Sequence, residues 1–174
     1  SYAHFQSDSA LLYTKLLYAQ AVKCEDQKMQ EVALIKQSLT MGIMGTYHHS
    51  NAQLDSLKKR IVTPEGQLQY MHVRRTIYGW LAEYTKALSD MQESYTTLTE
   101  LYRDSILTLE TDPISHAVCM ADKEISQGNI RAAESLLSGI KEQAKGEQLA
   151  YTLYNMATVK KHLGQTDSLV HYLA

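Results

Sequence analysis

Apolar residues recur along this chain every three or four positions, not every second one, which predicts helices and leaves no convincing strand. Leu12, Leu16, Ala19 and Val22 follow the capping oxygens of Asp8-Ser9, predicting a first helix over 9–24 with Glu25-Asp26 in the following link. Val32, Ile35, Leu39 and Ile43 predict a second helix over 28–44, ended by Gly45. Leu54, Leu57 and Ile61 mark a third over 51–60, and Pro64 closes that segment. Two long helices follow, over 65–86 (Leu68, Met71, Arg75, Tyr78, Leu81, Ala82) and 89–109 (Met91, Tyr95, Leu98, Tyr102, Ile106, Leu109). Asp112-Pro113 is a clean helix start. Shorter helices are predicted over 114–126, 129–143, 147–162 and 166–174. The expectation is an all-α chain of about nine antiparallel helices joined by short links.

Within that series one unit repeats. Gly128 is followed at five positions by Ala133 and at nine by Leu137. This resembles the tetratricopeptide repeat, where a glycine makes the turn, a small residue lets two helices approach, and a large apolar residue packs between them. The turn recurs at Gly164, followed by Leu169 and Leu173, and upstream at Gly45, followed by Ser50 and Leu54. Gly128 and Gly164 lie 36 positions apart, two more than the 34-residue repeat, which places two extra residues near Lys145-Gly146. Leu169 stands where a small residue is usual, and the Trp and Tyr of the usual first helix are absent. The expected architecture is a right-handed α-α superhelix forming one domain. It has irregular repeats over 1–64, an enlarged helical hairpin over 65–110 and more regular repeats over 113–174. An irregular helical bundle is the alternative.

Composition agrees with helices. The 174 residues contain only 8 Gly and 2 Pro, about half of average usage, too few turn formers for an all-β fold. Lys+Arg total 17 against 19 Asp+Glu, so no global field attracts a phosphate backbone. Aromatic usage is skewed, with 12 Tyr against 1 Phe and 1 Trp, which keeps hydroxyls near water or buried acceptors. Cys24 and Cys119 are far apart in sequence and read as two buried free thiols. No apolar run is long enough to span a membrane. Residues 166–174 read as a helix without a stop signal, so the chain is expected to be part of something longer.

Three stretches carry a wider resemblance: Tyr2 with Ser7-Asp8-Ser9-Ala10-Leu11-Leu12-Tyr13, Tyr102-Arg103-Asp104-Ser105-Ile106-Leu107, and His171-Tyr172-Leu173-Ala174. In this order the chain is similar to a Bacteroidetes-type family of membrane-anchored tetratricopeptide-repeat regulators. The resemblance covers essentially the whole chain and rests on structural motifs. It implies an exported sensory domain, periplasmic and followed by a transmembrane helix, with any DNA-binding or regulatory segment elsewhere in the protein.

Catalytic chemistry has no nominated residues. His48-His49 are adjacent, and helical neighbours point about 100° apart, a poor geometry for one metal ion, so a solvated pair is expected. His72, His116, His162 and His171 have no carboxylate three or four positions on, and no hydrolase, phosphate-loop or dinucleotide motif occurs. No catalytic residue, metal or cofactor is expected. Lys58-Lys59-Arg60, Arg74-Arg75 and Lys160-Lys161 read as short solvated basic stretches, with no nucleic-acid contact by this segment. What remains is a binding groove on the concave face. First-helix positions place Val32, Ile35 and Leu39 inward in the early repeat, Val118, Asp122 and Ile125 in the Gly128 repeat, and Tyr151, Tyr154, Thr158 and Lys161 in the last. The most site-like group is Asp122, Tyr151, Tyr154, Thr158 and Lys161, able to hold a peptide by stacking and charge-assisted hydrogen bonds. Packing against a further repeat is the competing role for these tyrosines. Tyr70, Tyr78, Trp80 and Tyr84 read as core and rim. The expected function is a non-enzymatic interaction or sensor domain binding a protein or peptide, with self-association through an exposed helix face also open. The alternative is a cytosolic adaptor or co-chaperone-like scaffold, although the inward Lys, Arg and Asn set of a carboxylate clamp is missing. Glycan binding is a third class, weakened by the single Trp.

Overall fold

The computed structural model describes residues 2–165, with side-chain environments from residue 8 onward. Among these residues the chain is all-α. Its eight helices are α1 (Tyr2–Lys23), α2 (Gln27–Ile43), α3 (Tyr47–Leu57), α4 (Pro64–Tyr84), α5 (Ser89–Leu109), α6 (Pro113–Ser126), α7 (Ile130–Ile140) and α8 (Gly146–His162). They pack in antiparallel pairs, α1 on α2, α2 on α3, α6 on α7 and α7 on α8. The expected ninth helix at 166–174 lies outside the described residues. The chain divides into two compact units, residues 1–105 and 106–174.

The repeat turns are each made by one residue in the left-handed region. Gly45, Gly128 and Gly164 have φ of 78°, 81° and 70°, a conformation that costs side chains with a Cβ about 1–2 kcal/mol. At each, the glycine N–H donates to the carbonyl three residues back, and the next N–H donates to the carbonyl five back. That double bond satisfies orphaned carbonyls at the helix end. The link between α1 and α2 has the same pair of bonds, but Glu25 occupies the turn position with φ 54°. Asp26 then caps α2, its Oδ1 accepting from the Met29 N–H at 2.9 Å.

The repeat offsets work alike in both units. Five residues after the turn, Ser50 and Ala133 are fully buried; nine after it, so are Leu54 and Leu137. Ser50 also donates its hydroxyl to the Ser38 carbonyl at 2.8 Å, tying α3 to α2. In unit 1, Ile35, Leu54, Leu57, Ile61, Tyr70, Val73, Ile77 and Leu81 form the core. Unit 2 is built on Ala121, Ala133, Leu137, Met156 and Val159.

Alternate helices are latched near their N-termini. In unit 1 the buried Glu31 of α2 accepts from the Val62 N–H at 3.0 Å and from the Thr63 hydroxyl at 2.7 Å. Thr63 is the N-cap of α4 and accepts from the Gly66 N–H. A Cβ on Gly66 would lie 2.4 Å from Glu31 Oε2, so this glycine makes room for the latch as well as opening the helix. In unit 2, Gln148 of α8 donates to Asp112 at 2.7 Å and to the Ser115 hydroxyl at 3.0 Å. Asp112 is the N-cap of α6, accepting from the Ser115 N–H. These contacts set α2 alongside α4, and α6 alongside α8, with their N-termini together.

Several expectations are corrected. Helix α1 begins at Tyr2, ahead of the Asp8-Ser9 cap, and α3 begins at Tyr47, which places His48-His49 in its first turn. The apolar stripe that marks α1 in the sequence lies outside: Leu12, Leu16, Ala19 and Val22 are exposed, and Ala21 is buried. Ile43, Met91 and Leu109 are also exposed at the ends of their helices. Cys24 is exposed and Cys119 half-buried, and neither is in a disulfide.

Two stability changes follow. Among the described residues, Glu25 alone makes a turn of this kind without glycine, and Glu25→Gly removes its left-handed penalty. After the entropy lost to the added freedom of the unfolded chain, a gain of about 0.5–1 kcal/mol is expected in urea unfolding. For Glu31, burial opposes the charge, but the Thr63 hydroxyl and the backbone donors outweigh it and hold its pKa below the ordinary carboxylate value of 4.5. A lowered folded pKa gives stability that is present above the unfolded value and lost as pH falls through the folded one. The melting temperature is therefore expected to drop on acidification below about pH 4.5, and Glu31→Gln should flatten that part of the profile.

Candidate functional site

The strongest polar cluster lies in unit 1 and is centred on Arg74, 2% exposed on α4. A buried guanidinium is tolerable only if its donors are met. Its Nε donates to Tyr70 Oη at 3.0 Å, and its Nη1 to Asn51 Oδ1 at 3.0 Å and Tyr78 Oη at 3.2 Å. Its Nη2 pairs with Asp55, whose own side chain is exposed. The two tyrosines also present ring faces to the cation, 5.3 Å and 5.7 Å from their centroids. Tyr102 of α5 stacks on Tyr78 at 5.8 Å and meets Tyr70 edge-on at 6.4 Å, and Tyr95 stacks on Tyr78 at 6.1 Å. Burial raises the Tyr102 phenol to about 12, and burial also raises that of Tyr78.

This cluster accounts for part of the tyrosine excess and corrects the reading of Arg74-Arg75 as a solvated pair. Every donating nitrogen of Arg74 is engaged by the protein, and the arrangement joins α3, α4 and α5. Tyr70 is core, Tyr78 and Trp80 are half-buried, and Tyr84 is 79% exposed, its ring 6.3 Å from that of Tyr47. Ile35, expected to face a groove, sits in the unit 1 core.

The residues nominated for partner binding all lie in unit 2. Tyr151, Tyr154, Thr158 and Lys161 occupy one side of α8, at steps of three, four and three residues. The opposite side carries Thr152, Asn155, Met156 and Val159 into the protein. Tyr151 and Tyr154 are 54% and 65% exposed, Lys161 is exposed, and Thr158 is half-buried with its hydroxyl donating to the Tyr154 carbonyl at 3.1 Å. Asp122 is half-buried on the neighbouring α6, one position after the buried Ala121. Val118 is half-buried too, and Ile125 packs onto the unit 2 core. Lys160, grouped with Lys161 in the sequence, instead forms a largely buried ion pair with Glu134 at 2.7 Å. That leaves Lys161 as the exposed cation of this face. The face can stack on planar groups and pair with an anion.

Among the described residues no group of three His, Cys, Asp or Glu is placed to hold a metal ion. His48 and His49 are exposed, with rings 5.9 Å apart and edge-on. No helix among the described residues is long and apolar enough to cross a membrane.

A family model described as the SusR N-terminal TPR domain matches residues 1–174, the whole chain. Neither the curated proteins nor the solved structures contain a significant match.

The Arg74 cluster makes a spectroscopic prediction. Tyr102, with its raised folded pKa, supplies stability that is complete below the ordinary phenol value and is lost as pH rises through about 12. Ultraviolet titration should show Tyr102 ionising at about pH 12, and Arg74→Met should destabilise the protein by about 2–3 kcal/mol.

Proposed function

The chain belongs to the SusR N-terminal TPR domain family, and from that premise we propose that it is the sensory, partner-binding part of a membrane-bound regulator. Domains of this kind are typically non-catalytic and engage protein partners. The finer proposal is that a peptide or protein segment docks on α8 and the adjoining side of α6, against Asp122, Tyr151, Tyr154, Thr158 and Lys161. One observation carries it: two tyrosines more than half exposed stand on the side of α8 turned away from the core. Their rings offer large contact area at low entropic cost, and Lys161 supplies a charge for an acidic side chain or terminus. A periplasmic location is part of the proposal. It rests on the resemblance carried by residues 7–13 and 102–107 and on the family, since near-neutral charge favours no compartment.

The intact regulator tests both parts. Tyr151→Ala with Tyr154→Ala should leave helical content unchanged, because neither ring packs in the core. The same variant should reduce the transcriptional response about fivefold to thirtyfold, the scale of losing about one to two kcal/mol of anchor energy. An unchanged response removes this face as the docking site. For location, the exposed Cys24 is a native reporter. A membrane-impermeant maleimide should label it in cells whose outer membrane alone has been opened, with Cys24→Ser as control. Labelling only after full lysis points to the cytosolic adaptor instead.

A further inference from the structure

Helix α1 is apolar on two opposite sides. Leu11, Leu17, Tyr18 and Ala21 are half-buried or buried on the side that packs on α2. On the other side Leu12 and Leu16 are 56% and 55% exposed, with Ala19 on the same line and Val22, 47% exposed, beside it. Leu12, Leu16, Ala19 and Lys23 advance by four, three and four residues, the stepping of a two-helix seam. A surface helix ordinarily shows water a polar side, and contiguous exposed apolar side chains mark an interface.

The charges on this stripe identify what covers it. Asp8 stands at its N-terminal end and Lys23 at its C-terminal end, both exposed. They are 15 residues apart, about 22 Å along a helix, too far to pair within one chain. Two α1 helices laid antiparallel about a two-fold axis between Lys15 and Leu16 bring each Asp8 to Lys23 of the second copy. The same register sets Leu12 against the small Ala19, and the two Leu16 side chains meet near the axis, flanked by the two exposed Lys15 side chains, whose long stems let the ammonium groups extend apart into water. A parallel arrangement would place Asp8 beside Asp8 and Lys23 beside Lys23.

We infer that the outer side of α1 is a self-association surface on which two copies of this chain dock antiparallel. The contact is isologous and closes on itself, so it makes dimers and not filaments. It belongs to unit 1, whereas α8 belongs to unit 2, and it does not depend on a ligand on α8. A single helix pair of this length is smaller than a standard protein interface, so the dimer is weak, with a Kd on the order of tens of micromolar.

Sedimentation velocity on the 174-residue chain, from about 1 to 200 µM to bracket that Kd, reads the equilibrium directly. The wild-type chain should pass from monomer to dimer over this range. Asp8→Lys and Lys23→Asp, each alone, should weaken the dimer about tenfold by facing like charges. The double variant Asp8→Lys/Lys23→Asp should return to within about threefold of wild type. That rescue cannot arise inside one helix, and circular dichroism on each variant separates it from misfolding. Leu16→Glu should abolish the dimer. A chain that stays monomeric throughout, a double reversal without rescue, or a Leu16→Glu dimer overturns the inference. In the first case the face belongs to a different segment or protein.

Discussion

The links at Gly45 and Gly128 must reverse a helix within a few residues while leaving no buried carbonyl without a donor, and so must the link before α2. A residue with positive φ solves both problems, and the rest of the architecture depends on it. The reversal sets successive helices antiparallel, and the shortness of the link forces their axes together just beyond it. Only a small side chain fits at the point of closest approach, which is why Ser50 and Ala133 are fully buried at the same distance from their turns. One helical turn further on the axes have diverged enough for a leucine, and Leu54 and Leu137 fill that space completely.

Polar contacts then fix register. Hydrophobic packing alone would let two helices slide with little change in buried area, because its energy is non-directional. A hydrogen bond is not so tolerant. Glu31 against the Thr63 cap, Gln148 against the Asp112 cap, and Ser50 against the Ser38 carbonyl each admit one alignment. Arg74 does this for a larger group. Its guanidinium draws Asn51 and Asp55 of α3 and two tyrosine hydroxyls of α4 to one point, and the rings so positioned form the floor on which α5 lays Tyr102 and Tyr95. Removing that charge takes away the reason for the rings to stand where they do.

The helices and their turns were legible in the sequence because period, caps and glycines agree from residue 113 onward, and the bounds of α6, α7 and α8 fall within three residues of expectation. Which side of helix α1 is buried was not legible. Its two apolar stripes lie on opposite sides, and periodicity identifies a stripe without saying which one finds the core. Arg74 carried a signal that went unused, since tyrosines four residues before and four after it surround a cation on one face of a helix. Glu25 carried none; nothing in its neighbourhood announces a left-handed residue that is not glycine. The candidate α8 face was visible in the spacing of Tyr151, Tyr154, Thr158 and Lys161. The separation of Lys160 from Lys161 was not, because it depends on Glu134, 26 residues away across a turn.

The two N-terminal latches bear on how such a chain comes apart. Each joins a helix to the next but one, passing over the helix between them, so the energy of holding a unit together is shared between helix pairs as well as spent within each. In helices coupled in this way, fraying begins where the latches are absent, at the C-terminal ends, and stops at the latched ends. Each unit can therefore loosen on one edge while the other stays registered. An edge that yields without losing alignment lets a repeat domain follow the shape of what it binds and return to its own.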